Sequence, residues 1–341
     1  MLQLLKKTYT KISFLLLSIA DSSKLLAIIY SLSSASFIRE QLAVIHGRKI
    51  FYQTLKDPKK SNAQLRRNIH RLEKGLIMRP RKRTFGSAYI RETVDLYRLS
   101  LNVSQAPPKE LHWANNVLTA YFKIVEHSHK EITKAYSQFI KNPVANYEEE
   151  MVPYKKQERL KNTITYDELM NLCLQRRSTR WFIDKQVPAK SIKKAIDLAV
   201  QAPSACNRQP YEIIAALQPD RATEICNLAM GTSGFSHNIN AVLIIVGDLS
   251  KYVYDRDRHI IYIDSSLMSM QLMLALETLG LSSCPINWPD IEKREKALAK
   301  ELDLPINKRP IMMIAVGYAD PEGKIPYSQK LDSDDVLTVL D

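Results

Sequence analysis

The chain has 341 residues, 45% of them apolar and 25% charged, enough to bury a sizeable core in about two domains. It holds only 9 glycines, with no G-x-G-x-x-G and no G-x-x-x-x-G-K-[ST], which argues against Rossmann and P-loop nucleotide sites. The net charge of +13 is one-sided: residues 1–160 carry 28 of the 49 Lys+Arg but only 13 of the 36 Asp+Glu. Such a basic half suits an anionic partner, whether nucleic acid, lipid headgroup or phosphorylated metabolite. The four cysteines (Cys173, Cys206, Cys226, Cys284) show neither C-x-x-C nor Cys/His ligand spacing, so no disulfide framework and no metal site is expected.

At the N-terminus, Lys6, Lys7 and Lys11 precede an apolar stretch, Ile12–Ala20, that ends in small residues as a weak signal-peptide pattern would. A second stretch, Leu25–Leu32, follows at once, and Asp21 and Lys24 interrupt the whole. That leaves no span of about 20 apolar residues. The expectation is helices packed on the rest of a cytoplasmic protein, with peripheral membrane contact the lesser alternative.

Residues 1–160 read as a helical, basic region, with apolar side chains at helical spacing in Val94, Tyr97 and Leu101 and again from Val117 to Val125. Ala106-Pro107-Pro108 and Asn142-Pro143 punctuate it, and the charged Tyr147–Lys161 reads as a linker. Eight Lys and Arg residues lie between Arg66 and Arg83, with His70, Glu73 and Lys74 on one helical face and Gly75 as a helix stop. Such a run is either a site for an anionic or sugar-linked partner or a solvated face; no DNA-reading motif accompanies it, so sequence-specific nucleic-acid binding is not expected.

From Tyr166 the texture changes. Tyr166–Leu174, Ala189–Ala202 and the very apolar Ile261–Leu279 read as helices, and Tyr211–Leu217, Ala241–Gly247 and Pro310–Gly317 as buried strands, with a further strand near Cys284–Asn287. This pattern predicts an α+β sheet flanked by helices in residues 161–341. Two segments carry chemistry. Arg176-Arg177-Ser178-Thr179-Arg180-Trp181-Phe182 ends a helix with three guanidinium groups and a hydroxyl, a cradle for a phosphate or another polar group. Ala202-Pro203-Ser204-Ala205-Cys206-Asn207-Arg208-Gln209-Pro210 combines small residues with amide side chains suited to the edge of a heterocycle.

Those two segments, in that order, resemble the nitroreductase family of FMN enzymes. Leu279-Gly280-Leu281 leading to Pro285-Ile286-Asn287 is similar to the family's segment along the flavin ring, and Val316-Gly317-Tyr318 with Pro326-Tyr327-Ser328-Gln329-Lys330 to its ending. The resemblance implies a nitroreductase-like fold, FMN as cofactor, NAD(P)H as donor and a homodimer joined through Ile261–Leu279. By the same resemblance, Arg176, Arg177, Ser178 and Arg180 hold the phosphate, ribityl and pyrimidine end of FMN, and Lys330 reaches the phosphate. Pro203, Ser204, Ala205, Asn207 and Gln209 reach the isoalloxazine from the second subunit, and Pro285, Ile286 and Asn287 line the ring.

The chain departs from the family in having Trp288-Pro289 where many members have a glycine and an acidic residue, and Lys330 where arginine is common. No catalytic side chain is required, since the flavin carries the chemistry. Cys206 and Cys284 are expected to be packing residues. The helical half, with its H-R-x-E-K-G-L, is reminiscent of nitroreductase-like proteins encoded with polysaccharide biosynthesis genes. The alternatives are a flavin-using oxidase or dehalogenase on the same fold, and a non-enzymatic flavin-binding protein acting through its basic extension.

Overall fold

The computed structural model describes residues 2–55, 57, 62–102, 108–141 and 150–340. Ala106-Pro107, Asn142-Pro143 and the start of the Tyr147–Lys161 linker lie outside the described residues. The described chain is α+β, with a helical first half and a single four-stranded sheet in the second.

Seven helices come first: α1 (Leu2–Asp21), α2 (Lys24–Ser33), α3 (Ala35–Thr54), α4 (Ala63–Leu76), α5 (Ile90–Leu101), α6 (Pro108–Ile124) and α7 (Lys130–Phe139). α4–α7 form their own apolar core, with Leu65, Ile69 and Leu72 of α4 meeting Val94 and Tyr97 of α5, Val117, Leu118 and Tyr121 of α6, and Ile132 of α7. Pro108 opens α6, where its missing N–H costs nothing. Gly75 does not stop α4, which runs on to Leu76. Its role is a close approach: a Cβ there would stand 2.3 Å from the Phe85 ring, which itself lies edge-on to Tyr121.

The two N-terminal helices depart from expectation. They form, but they do not bury their apolar residues: Phe14 is 73% exposed, Leu25 67%, and α2 has no buried residue. α1 meets chiefly α2, and α2 meets α3, so too little surface faces them to cover their apolar sides.

The second half contributes α8 (Tyr166–Gln175), α9 (Ala189–Ala199), β1 (Tyr211–Ala216), α10 (Pro219–Cys226), β2 (Ala241–Asp248), α11 (Ile260–Thr278), β3 (Ser282–Asn287), α12 (Glu292–Glu301) and β4 (Lys308–Gly317). The strand order is β1-β2-β4-β3, antiparallel throughout. β2 is buried along its whole length because both sheet faces are covered, which is why it reads as a continuous apolar run. Leu243 and Ile245 face α9 and α11, while Val242, Ile244 and Val246 join the core over α10 and α12. Pro310, unable to donate to a ladder, sits at a bulge where Val246 pairs with Pro310 and Ile245 with Met312.

α3 links the two halves. Its Ala43 and Val44 belong to the same cluster as β2, α9 and α11. Arg39 is ion-paired with Glu295 at 3.0 Å and Glu292 at 3.2 Å, both on α12.

Candidate active site

Arg176 caps the C-terminus of α8, and the chain then runs as an extended strap along the sheet edge formed by β3 and β4. Thr179 N–H donates to Ser283 O at 3.0 Å, and Ile183 N–H to Tyr318 O at 2.9 Å. Asn238 clamps Phe182 from both sides, accepting its N–H at 2.6 Å and donating to its carbonyl at 2.9 Å. Gly317 lets this happen: a Cβ there would lie 2.6 Å from the Phe182 ring. Strap and sheet together hold Arg176, Ser178 and Arg180 beside β3.

Those two arginines are under-used within the protein. Arg176 Nε is buried with no hydrogen-bond partner, and the nearby Ser283 Oγ and Glu277 Oε2 are likewise unpartnered. Burial raises the Glu277 carboxyl above its ordinary range, with the Arg176 charge pulling the other way. Among the described residues Arg180 reaches only Ser178 O at 3.4 Å and the Phe235 ring at 5.8 Å. Arg177 behaves differently. It donates to the carbonyls of Pro326 and Tyr327, tying down the C-terminal tail that carries the exposed Lys330.

The Pro203–Pro210 segment is a tight loop held in costly backbone geometry. Cys206, Asn207 and Gln209 all have positive φ, at 55°, 53° and 49°. For residues other than glycine this is sparsely populated, and such clusters gather at binding and active sites. The loop is closed on itself by Gln209 N–H to Ser204 Oγ at 3.2 Å and Gln209 Nε2 to Asn207 Oδ1 at 3.0 Å. Asp264 of α11 anchors it, accepting Ala205 N–H at 3.0 Å and Tyr252 Oη–H at 3.3 Å. Burial holds the Asp264 carboxyl above its usual range, against the pull of these hydrogen bonds and Arg208.

The structure brings only some of the expected residues together. The Arg176–Arg180 strap, β3 and the tail converge near Glu277 at the C-terminal end of α11. The Ser204–Gln209 loop is anchored at Asp264, thirteen positions earlier on the same helix, or roughly 20 Å along its axis at 1.5 Å per residue. On β3, Pro285 and Asn287 are exposed, whereas Ile286 is 5% exposed and points into the core. The two-residue period of a strand sends neighbours to opposite faces, so Ile286 can offer a ligand only its backbone. Trp288 does not shape an opening either: it is 6% exposed and its Nε1–H donates to Glu295 at 2.9 Å.

Cys284 and Cys226 are buried thiols, the latter pushed up to about 12 by burial and by the nearby Cys284, which suits packing and not nucleophilic chemistry. Among the described residues no cluster of His, Cys, Asp and Glu could hold a metal ion. Sequence reasoning missed α4 and Asp264 as neighbours of the loop; α4 packs directly on the Ala205–Asn207 turn. Nothing in the local pattern signals contacts made across 59 residues, as with Asp264, or more than a hundred, as with α4.

Known proteins resemble the second half of the chain. The nitroreductase family model matches residues 173–231 and 222–318. A putative NADH dehydrogenase/NAD(P)H nitroreductase of Archaeoglobus fulgidus is 29% identical over 158 residues, covering 46% of this chain and 88% of that protein. A putative NAD(P)H nitroreductase of Bacillus subtilis is 22% identical over 206 residues, covering 50% of this chain and 97% of that protein. Among solved structures, an FMN-dependent nitroreductase from Clostridium difficile superposes with a TM-score of 0.43 at 23% identity, over 50% of this chain and 98% of that one. Residues 173–318 of this chain form a nitroreductase-family domain.

Proposed function

We propose that the protein is an FMN-dependent oxidoreductase that passes hydride from NAD(P)H to an acceptor. It works as a homodimer in which each active site joins the Arg176–Arg180 strap of one subunit to the Ser204–Gln209 loop of the other. The observation that carries this reading is the separation of the two half-sites along α11, which a two-fold partner packed on that helix would abolish. The same helix keeps Ile263, Leu267 and Met270 40–52% exposed, an apolar face suited to a second copy.

The residues present fit FMN. A phosphate or pyrimidine oxygen would satisfy the orphaned Arg176 Nε and the unpaired Arg180, with Ser178 and Lys330 alongside. Pro203, Ser204, Ala205, Asn207 and Gln209 would meet the ring from the second subunit, and Pro285 and Asn287 from the exposed side of β3. Bound FMN supplies the hydride relay; the protein binds it, orients it and shapes access. Residues 161–341, with α3, would form the FMN domain, and α4–α7 a cap beside the loop.

Two measurements test this. The purified protein is expected to be yellow with about one FMN per chain, and to bleach anaerobically with NADH or NADPH. A colourless preparation that takes up no added FMN would overturn the reading. Bleaching that needs no acceptor, followed by rapid turnover with oxygen alone, would favour an oxidase. The dimer is tested by Leu267→Asp, which buries a charge in the proposed interface and is expected to give a folded, flavin-poor monomer by light scattering. Met268 and Leu272 are unsuitable probes because both are fully buried in the chain's own core. A stable, flavin-replete monomer by light scattering would contradict the shared site.

A further inference from the structure

α4 lies against the turn that the proposed function places on the flavin ring, and it brings an excess of positive charge with it. Of its arginines, Arg66 is paired with Glu110 at 3.1 Å. Arg67 and Arg71 are not: among the described residues neither has a carboxylate within salt-bridge distance. Arg67 reaches only Gln64 Oε1 and Arg71 only Asn68 Oδ1, each at 3.5 Å, the outer limit of a hydrogen bond. Arg71 is instead laid over the Tyr89 ring, 3.6 Å from its centroid, which fixes the plane of its guanidinium.

The loop contributes a third guanidinium. Arg208 is 6% exposed, its Nε is buried without a partner, and its charge rests 4.8 Å over the Tyr252 ring. Burial lowers its proton affinity and the Arg67 charge lowers it further, while Cys206, Tyr252 and Asp257 act in the opposite sense; among the described residues no carboxylate lies within salt-bridge distance of it. A buried guanidinium with a like charge acting on it, and no carboxylate in salt-bridge distance among the described residues, costs stability unless an anion binds beside it. By contrast, Arg83 is answered by Glu126, and Arg79 and Arg81 line an open cleft beyond the far end of α4.

We propose that Arg67, Arg71 and Arg208 form a recognition site for a carboxylate or phosphate group carried by the electron acceptor, so that the helical cap selects anionic acceptors. This rests on the flavin placement proposed above. The arginines that would hold the FMN phosphate, Arg176 and Arg180, lie at the other end of α11, so the two anion sites are separable within one chain.

The test uses three nitroaromatic probes of similar size: neutral nitrobenzene, 4-nitrobenzoate and 4-nitrophenyl phosphate. With the full-length flavoprotein, kcat/KM is expected to favour one or both anionic probes over nitrobenzene. The double variant Arg67→Gln/Arg71→Gln is expected to lower that ratio by at least about tenfold, since charge-assisted hydrogen bonds are lost. Which anionic probe loses more identifies carboxylate or phosphate as the preferred group. An unchanged ratio, or an equal loss for all three probes, would overturn the proposal.

A second readout does not depend on flavin. Inorganic phosphate, against sodium chloride of equal ionic strength, is expected to raise the Tm of the wild-type protein more than that of the double variant. If the protein proves colourless, the flavin reading fails while this difference still decides the anion site. Equal Tm shifts in the two proteins would refute the site whatever the flavin content.

Discussion

Glu295→Ala is expected to destabilise the protein by about 3–5 kcal/mol, because it removes the one buried carboxylate shared by two arginines. Glu295 is 1% exposed and accepts from Arg39 Nε at 3.0 Å, Arg309 at 3.4 Å and Trp288 Nε1 at 2.9 Å. Arg309 is itself 1% exposed, and two of its nitrogens already lack partners, so it has no route to water once Glu295 is gone. Each arginine does keep a second, more exposed carboxylate, Glu292 for Arg39 and Asp290 for Arg309. These remaining contacts keep the loss within the range for a single broken buried pair. Glu292→Ala is the control: Glu292 is 30% exposed, its pair with Lys296 is solvent-facing and Arg39 keeps Glu295, so a loss of about 1 kcal/mol or less is expected. Urea denaturation of both variants reads the difference, and a Glu295→Ala protein within 1 kcal/mol of wild type would show that the network carries little.

The network also ties Arg39 of α3 to α12, more than 250 residues away in the chain. Around Arg39 the sequence reads only as part of a helical region, and the structural use of the arginine is set by what lies opposite. The same limit explains other differences between sequence and structure. The β2 and β4 strands and α11 were legible because a run of apolar residues buried on both faces has few other uses. The arginine strap and the Ser204–Gln209 loop stand out only by their order and their resemblance to the nitroreductase family, since neither residue pattern is distinctive alone. Gly75 was read as a stop because glycine often ends helices, whereas here the Phe85 ring occupies the space of its missing side chain. Ile286 was placed by its neighbours in a motif, but strand alternation turns it inward. The engagement of Arg177 with the tail carbonyls, across about 150 residues, left no trace in local pattern.

The Arg176→Ala/Arg180→Ala double variant is expected to bind FMN about 10²–10⁴-fold more weakly and to purify without colour. Each charge-assisted bond to an ionised group contributes about 1.5–3 kcal/mol, and two of them sum to about 3–6 kcal/mol if the two arginines act independently. They flank Ser178 on one strap, so some coupling is expected and the single variants are needed to measure it. The fold should tolerate the loss. Among the described residues neither arginine forms an ion pair, Arg176 Nε is unpartnered, and the strap is held by backbone bonds from Thr179 and Ile183 and by the Asn238 clamp on Phe182. Truncating an arginine whose buried nitrogen has no partner removes a cost as well as a contact, so Tm without added flavin should stay within a few degrees of apo wild type. Arg177→Ala should behave differently, freeing the tail from Pro326 and Tyr327 and weakening FMN only to the extent that Lys330 is displaced. Fluorescence titration of the apo-proteins with FMN distinguishes the cases. Full flavin occupancy in the double variant would remove the strap from the binding site and, with it, the reason for reading its unpartnered nitrogen as a place kept for a ligand.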